Sequence, residues 1–299
     1  MKNKGVAAVV GAGVLWGIIN IFIKRLSSAG LSPMQIALLR LTVAAAALSA
    51  LTLLKNPESF KIRLRDIWMF IGTGIISVSL FNFFYFYTII NGEASVAVVL
   101  LYTSPVFIVV MASVLFKERI TGRKALACLL TLAGCVLTSG LLKATPNVSG
   151  RVFTAGLASG FLYALYTVFG RYALEKYGAG TVTVYTFLFG LAGTFFMTDK
   201  SGIAGIIRNE PVLVLYIIGL GIVSTVLPYY LYTYGLQRME SGKAAIYVAI
   251  EPAVGAAIGM TLFGEDRSAL KILGIILVLT AIAVMNTGEK ENDGGESFT

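Results

Sequence analysis

Charged residues are scarce in this chain, and histidine is absent. Only 13% of the 299 residues are Asp, Glu, Lys or Arg, whereas about a quarter are charged in ordinary soluble domains. Hydrophobic residues make up 57% of the chain, and the mean hydropathy is +0.83. No water-soluble core could bury that much apolar surface. The composition therefore excludes an ordinary soluble domain and indicates a protein that works inside a lipid bilayer.

The chain also has few residues that bind metals or reactive groups. Without histidine, and with Cys128 and Cys135 as the only cysteines, the usual zinc, haem and iron-sulfur ligand sets cannot be formed. No phosphate-binding or ATP motif occurs. We therefore expect no metal and no cofactor. The net charge is +9, but the basic residues lie in short loops between apolar runs, so the charge does not indicate binding to nucleic acid.

Apolar runs long enough to cross a membrane occur ten times. Each crossing needs about 20 apolar residues, so ten of them fill the chain and leave no soluble domain. The predicted spans are 5–23, 34–54, 67–90, 94–116, 125–142, 152–169, 181–197, 211–236, 244–263 and 270–286. The fold class expected is all-α, a polytopic membrane protein with ten transmembrane helices.

The two halves of the chain repeat each other at a constant offset of 147 residues. The matched pairs include Gly13 and Gly160, Gly72 and Gly219, Gly74 and Gly221, Glu93 and Glu240, and Pro105 and Pro252. A repeat with five spans must insert its second copy in the opposite direction. We therefore predict two inverted five-helix repeats, at 1–147 and 148–287. The polar tail, 288–299, is expected to be disordered and cytoplasmic.

Basic residues indicate the orientation. The segments 55–65 and 117–124 each contain four Lys or Arg residues, and short cytoplasmic loops carry such an excess. Both segments face the cytoplasm if the N-terminus does. The expected location is the cell membrane, with both termini cytoplasmic.

The chain resembles the drug/metabolite transporter superfamily, in particular its EamA-type members. The motifs that carry the resemblance are Trp16-Gly17, Leu39-Arg40-Leu41, Ser104-Pro105-Val106, Leu115-Phe116-Lys117-Glu118-Arg119, Glu251-Pro252 and Leu262-Phe263-Gly264-Glu265. The resemblance implies ten helices in two five-helix halves and movement of a substrate by alternating access, often export of amino acids or other metabolites.

Glu251 gives the strongest functional signal, because it places a carboxylate near the centre of an apolar span. An ionised carboxylate there costs several kcal/mol unless it faces water, a cation or a proton. Pro252 follows Glu251, and the equivalent pair in the first half is Ser104 and Pro105, so both halves are predicted to kink at matched positions. The alternative is a structural Glu251 that caps backbone groups freed by the proline.

Other polar and aromatic residues are expected to line one central cavity with Glu251. Arg40 lies about 9 Å into the second span, where substrate contact and a snorkelled or paired role are equally open. Tyr247 precedes Glu251 by one helical turn and is expected on the same face. We assign Tyr232 and Tyr234 to an interfacial aromatic belt. The predicted substrate-binding residues are Trp16, Asn20, Arg40, Asn82, Tyr102, Ser104, Tyr163, Tyr166, Tyr230, Tyr247 and Glu251.

The function predicted is a secondary transporter that moves a small metabolite across the cell membrane by alternating access. An amino acid or related amphipathic solute is the expected substrate, with export as the expected direction and protons as a candidate coupling ion. A facilitative uniporter or an uptake carrier for another small organic solute stays open, as do monomer and dimer. A channel is disfavoured because no loop could re-enter the membrane as a filter, and an enzyme because no nucleophile with its base is evident.

Overall fold

Helices form all the regular secondary structure that the computed structural model describes, which covers residues 2–92, 94–143, 148–265 and 267–293. Ten of these helices are long and apolar enough to cross a membrane. They are α1 Lys4–Ser28, α2 Pro33–Lys55, α3 Leu64–Asn91, α4 Ala94–Phe116, α5 Gly122–Ser139, α6 Gly150–Leu174, α7 Ala179–Met197, α8 Leu213–Leu236, α9 Ser241–Leu262 and α10 Ala269–Asn286. The prediction of an all-α membrane fold with ten spans is confirmed.

Local sequence explains where several helices begin and end. Ser32 forms a capping box with Gln35 at the start of α2, so two backbone N–H groups that the helix leaves unpaired are satisfied. At the start of α5 the Thr121 hydroxyl accepts the backbone N–H of Lys124, and at the start of α6 the Ser149 hydroxyl accepts that of Val152. Gly140 ends α5 with a φ of 78°, a conformation that glycine adopts without steric cost.

The last helix extends further than the sequence suggests. It covers Ala269–Asp293, so residues 288–293 of the expected disordered tail are helical, whereas 294–299 lie outside the described residues. Glutamate and lysine are good helix formers, and they prolong a helix that the apolar span has already started.

Two spans are broken at equivalent positions near the middle of their length. In α4 the helix ends at Leu101 and begins again at Ser104. In α9 it ends at Val248 and begins again at Glu251. A proline follows the new start in both cases, and proline has no N–H to donate to the preceding turn. Spans α3 and α8 also contain matched π-helical segments, Gly72–Leu80 and Ile222–Val226.

The packing of the two halves is reciprocal. Helix α1 packs on α8 and α9, and its counterpart α6 packs on α3 and α4, while α2 meets α7, α4 meets α9 and α5 meets α10. Glycines allow equivalent close contacts. A Cβ at Gly72 would lie 2.3 Å from Phe169, and one at Gly219 would lie 2.5 Å from Phe22. Because each half has five spans, equivalent helices run in opposite directions.

Candidate functional site: a central cavity open to one face

A cavity of about 510 Å³ lies between the two halves. We call the end of the bundle at which α1 begins and α10 ends the terminus face, and the other end the opposite face. The cavity walls include Trp16, Arg40, Asn82 and Glu251 near the middle of the spans and reach Lys24 at the far end of α1. The cavity therefore starts near the middle of the spans and opens toward the opposite face.

Arg40 places a positive charge in the wall of this cavity. Its side chain is only 9% exposed, and one Nη donates to the Asn82 carboxamide oxygen at 3.2 Å. The Asn82 nitrogen is held by the Val78 carbonyl at 2.8 Å, which fixes the orientation of the amide. The Arg40 Nε has no hydrogen-bond partner among the described residues. An unpaired buried donor is costly, so the guanidinium has bonding capacity that a solute in the cavity could satisfy.

Glu251 places a negative charge in the same cavity. It begins the second segment of α9, directly after the break, and Tyr102 is a neighbour of its carboxylate in the cavity wall. Glu251 and Arg40 are close enough to interact electrostatically. Among the described residues neither is joined to an opposite charge by an ion pair. Two opposite charges thus line one cavity without neutralising each other directly.

Aromatic rings close the cavity on the side of the terminus face. Trp16 meets Tyr229 edge-on at 5.1 Å between ring centroids and lies 5.8 Å from Tyr232. The Tyr232 hydroxyl is hydrogen-bonded to Thr167 at 2.8 Å. Tyr232 is 3% exposed, so its assignment to an interfacial belt is wrong. The π-helical segment of α8 alters the helical phase, and the ring turns into the bundle instead of toward the lipid headgroups.

An ion pair lies at the mouth of the cavity. Lys24 of α1 and Glu265, which follows α9, line the opening and are 3.1 Å apart. Lys271 lies 3.0 Å from the same carboxylate. Partial burial raises the pKa of Glu265, but hydrogen bonds from Lys271 and Lys24 lower it by more, so its pKa lies below the usual range. Glu265 is therefore ionised at neutral pH.

Seven of the predicted substrate-binding residues line this cavity, and four do not. The seven are Trp16, Asn20, Arg40, Asn82, Tyr102, Tyr163 and Glu251. The kink residue Pro252 also lines the cavity, whereas Pro105 does not. The four that lie elsewhere are Ser104, Tyr166, Tyr230 and Tyr247.

Each of these four positions has a structural explanation. The fully buried Tyr247 donates to the Asn286 side chain at 2.9 Å, because the break at 249–250 rotates it off the face that carries Glu251. Tyr166 is hydrogen-bonded to Thr233 at 2.7 Å, behind the cavity wall. Ser104 is buried without lining the cavity. Tyr230 is 43% exposed, on the outside of the bundle.

Several lining residues were missed, among them Tyr85, Tyr229, Lys24 and Glu265. The repeat offset carried a signal for Tyr229, because it is the equivalent of Asn82 in the second half. Lys24 and Glu265 lie near the ends of spans, where charged residues are ordinary. Their pairing across 241 residues is visible only in the folded chain.

The family model of the EamA-like transporter family matches this chain twice, at residues 3–140 and 151–287. The two matches together cover nearly the whole chain. The chain therefore belongs to the EamA-like transporter family and is a multi-pass membrane protein. Its partners are accordingly the lipid bilayer and a small-molecule substrate.

Relatives and solved structures agree with this membership. The chain is 28% identical to an uncharacterized transporter of Archaeoglobus fulgidus, over 94% of this chain and 95% of the relative. It is 24% identical to the uncharacterized inner membrane transporter YicL of Salmonella typhimurium, over 95% of each chain. A protein crystal structure superposes with a TM-score of 0.82 at 18% identity, covering 99% of this chain and 100% of the other. That likeness concerns the fold alone.

Proposed function

We propose that this protein is a secondary carrier that moves a small zwitterionic, amphipathic solute, most simply an amino acid, by alternating access. The observation that carries the proposal is the pair of unneutralised opposite charges, Arg40 and Glu251, in one aromatic-lined cavity. The Arg40 fork suits a carboxylate, and the Glu251 carboxylate suits an ammonium group. The volume of about 510 Å³ is in the range of small-molecule sites, about 300–1,000 Å³.

The aromatic part of the lining supports an amphipathic solute. Phe81, Tyr85, Phe86, Tyr163 and Tyr229 add rings to the walls, and such rings bind an apolar side chain as well as they stack on an aromatic one. The cavity lies at the interface between the repeats, where carriers of this architecture bind their substrates.

The basic segments 55–65 and 117–124 favour cytoplasmic termini in the cell membrane, so the cavity faces the outside in this conformation. The resemblance to metabolite exporters favours export. Glu251 is the acidic group that lines the inner part of the cavity, and we propose that it binds the coupled proton when the substrate leaves. A uniporter would use the same cavity without that proton.

The test uses the purified full chain in liposomes with a panel of labelled solutes. Zwitterionic amino acids should show saturable uptake, and analogues that lack either charge should be transported poorly. In the Arg40→Gln variant, the ratio of amino-acid uptake to uptake of the analogue without a carboxylate should fall roughly 10- to 100-fold. One charge-assisted hydrogen bond contributes about 1.5–3 kcal/mol. Arg40→Lys should recover only part of the loss, since lysine lacks the planar fork.

Coupling is tested with Glu251→Gln, which keeps the shape but cannot ionise. Uptake driven by a pH gradient should collapse in this variant, while the protein stays folded. Glu175→Gln, an exposed carboxylate on the terminus face, is the matched control and should behave as the parent. Unchanged gradient-driven uptake in Glu251→Gln would remove the proton role. Equal uptake of charged, neutral and zwitterionic solutes would overturn the substrate class.

A further inference from the structure

The loops that follow α4 and α9 have the same backbone at opposite ends of the bundle. Lys117 and Gly264, which are equivalent under the repeat offset, are both left-handed, with φ of 56° and 66°. Each is followed by a glutamate, Glu118 on the terminus face and Glu265 on the opposite face. The N–H groups of the two glutamates donate to equivalent carbonyls, those of Ala112 and Gly259, at 3.2 and 3.0 Å. The two side chains leave equivalent loops but make different bonds.

Glu118 holds the closed face together. Its two carboxylate oxygens accept the backbone N–H groups of Ser241 at 2.7 Å and Gly242 at 3.1 Å. These residues begin α9, where four N–H groups lack partners within the helix. The side chain of Glu118 is only 8% exposed, and Lys124 lies 3.7 Å away. The α4–α5 loop is thereby tied to the start of α9.

Arg171 of α6 makes a matching bond to the end of α8. One of its nitrogens donates to the carbonyls of Leu236 and Met239, at 2.8 Å each. A cation at a helix C-terminus bonds the carbonyls that the helix leaves unpaired. Glu118 and Arg171 together therefore hold both arms of the α8–α9 turn, and this pair is the terminus-face latch.

The equivalent residues on the opposite face are bonded differently. Glu265 is the counterpart of Glu118, and Lys24 is the counterpart of Arg171. They pair with each other at 3.1 Å and are 40% and 49% exposed, at the mouth of the cavity. The positions equivalent to the partners of the closed latch are Ile89, Gly92, Ala94 and Ser95, at the end of α3 and the start of α4. Three of these four, Ile89, Ala94 and Ser95, line the same mouth.

We infer that the two faces exchange these bonds during transport, so that Lys24 and Glu265 form the latch that closes the cavity mouth. On closure the Glu265 carboxylate accepts the N–H groups of Ala94 and Ser95, and Lys24 donates to the carbonyls of Ile89 and Gly92. The Lys24–Glu265 pair separates, while Glu118 and Arg171 release the α8–α9 turn. The inference rests on alternating access, which is part of the proposed function.

The chemistry of the two latches differs in a way that fits the conformation observed. Arg171 bonds two carbonyls at once, whereas Lys24 is a compact charge on a flexible stem. The terminus-face latch is therefore the stronger of the two, and the state with the mouth open is favoured at rest.

The experiment measures access to the cavity without using a substrate. Cys128 and Cys135 are replaced by alanine, and Val98→Cys places one thiol in the cavity lining. A membrane-impermeant maleimide is added to right-side-out and to inside-out vesicles, so that the rate is measured from both faces. Glu118→Gln should speed labelling from the terminus face about tenfold or more, since a charge-assisted hydrogen bond is worth that factor and the less populated state gains by the full shift. Labelling from the open face should slow only as far as the open state loses population. Glu265→Gln should label at least as fast as the parent.

The double variant Glu118→Gln with Glu265→Gln is the decisive test. Weakening both latches should bring the labelling rate from each face back to within about threefold of the parent. Glu58→Gln and Glu210→Gln remove carboxylates that pair with Lys61 and Arg25 away from the cavity and should leave the rate unchanged. If Glu118→Gln does not fold, Arg171→Gln weakens the same latch and takes its place.

Two results would overturn the latch. One is parental labelling from both faces in folded Glu118→Gln or Arg171→Gln protein, and the other is a double variant whose labelling from the terminus face is as far from the parent's as that of the single variant. Saturable amino-acid uptake measured beside either result would leave the proposed carrier function standing. Labelling that follows the expected pattern without any amino-acid uptake would support the latch and count against the substrate proposal alone.

Discussion

At the scale of single residues, buried charge decides what this protein can do. Arg40 and Glu251 lie in spans where an unpaired charge costs several kcal/mol. Arg40 donates a hydrogen bond to the neutral Asn82, and Glu251 has the neutral Tyr102 as a neighbour. Such an arrangement is unfavourable for stability alone, as the proposed substrate site requires. Asp66 shows the opposite case, since Lys176 and Tyr177 pair this carboxylate within the protein.

Asp66 leads to a stability prediction. It is 1% exposed and accepts hydrogen bonds from Lys176 at 2.6 Å and Tyr177 at 2.8 Å. Tyr177→Phe should lower the melting temperature, because the Asp66 carboxylate loses a hydrogen-bond donor and the Arg63 backbone N–H loses its acceptor. The measurement is a thermal or denaturant melt of the detergent-solubilised protein.

The control for this prediction is Tyr172→Phe. Its ring contacts Trp68 and Phe116, so the substitution keeps the aromatic packing while removing a hydroxyl. The free energy of unfolding of Tyr172→Phe should lie within about 0.5 kcal/mol of the parent's, as it does for most substitutions that break no buried polar contact. Equal losses in the two variants would show that the Tyr177 hydroxyl has no special role.

At the scale of helices, the glycines set how closely the two halves approach. A Cβ at Gly13 would lie 2.5 Å from the Val248 carbonyl oxygen, and one at Gly160, its repeat equivalent, would lie 2.6 Å from the Leu100 carbonyl oxygen. Both carbonyls belong to the residues next to the broken segments of α9 and α4. The glycines therefore bring α1 and α6 against the backbone at the breaks that position Glu251 and Tyr102.

This packing predicts that Gly13→Ala destabilises the protein by about 1–3 kcal/mol, the usual cost of overpacking a closed contact. The backbone carbonyl cannot move aside as a flexible side chain would. Gly205→Ala is the matched control, because its Cβ would meet nothing within 4 Å and alanine is the better helix former by about 1 kcal/mol. The expected order of melting temperatures is therefore Gly205→Ala above the parent and Gly13→Ala below it. A Gly13→Ala protein as stable as the parent would contradict the contact.

At the scale of the whole molecule, orientation depends on loops and not on the core. Helix α1 begins and α10 ends on the face that carries the basic segments 55–65 and 117–124, and this face is predicted to be cytoplasmic. Alkaline phosphatase fused after Thr299 should therefore be inactive, since the enzyme needs the periplasm to fold. The same reporter fused after Lys200, on the opposite face, should be active. The reverse pattern would turn the molecule over and place the cavity mouth in the cytoplasm.

The sequence predicted the number of spans, their bounds to within a few residues, and the repeat. Each of these depends on local properties, the hydropathy of a run of residues and the spacing of matched residues, so no knowledge of the fold is needed. Glu251 was also identified locally, because a carboxylate in an apolar run stands out wherever it lies. The breaks before Pro105 and Pro252 follow from the missing proline N–H.

Only the tertiary structure decided which residues share the cavity. Helical phase carried from Glu251 back to Tyr247 fails because the break at 249–250 lies between them, and regular periodicity ends at a break. The same effect brings Tyr102 to the carboxylate of Glu251, although an unbroken helix would turn it elsewhere. The Lys24–Glu265 pair joins residues 241 positions apart, and no local pattern encodes such a contact. Hydropathy and spacing thus determined the helices, whereas their breaks and reciprocal packing determined the site, because a side chain's direction depends on every turn that precedes it.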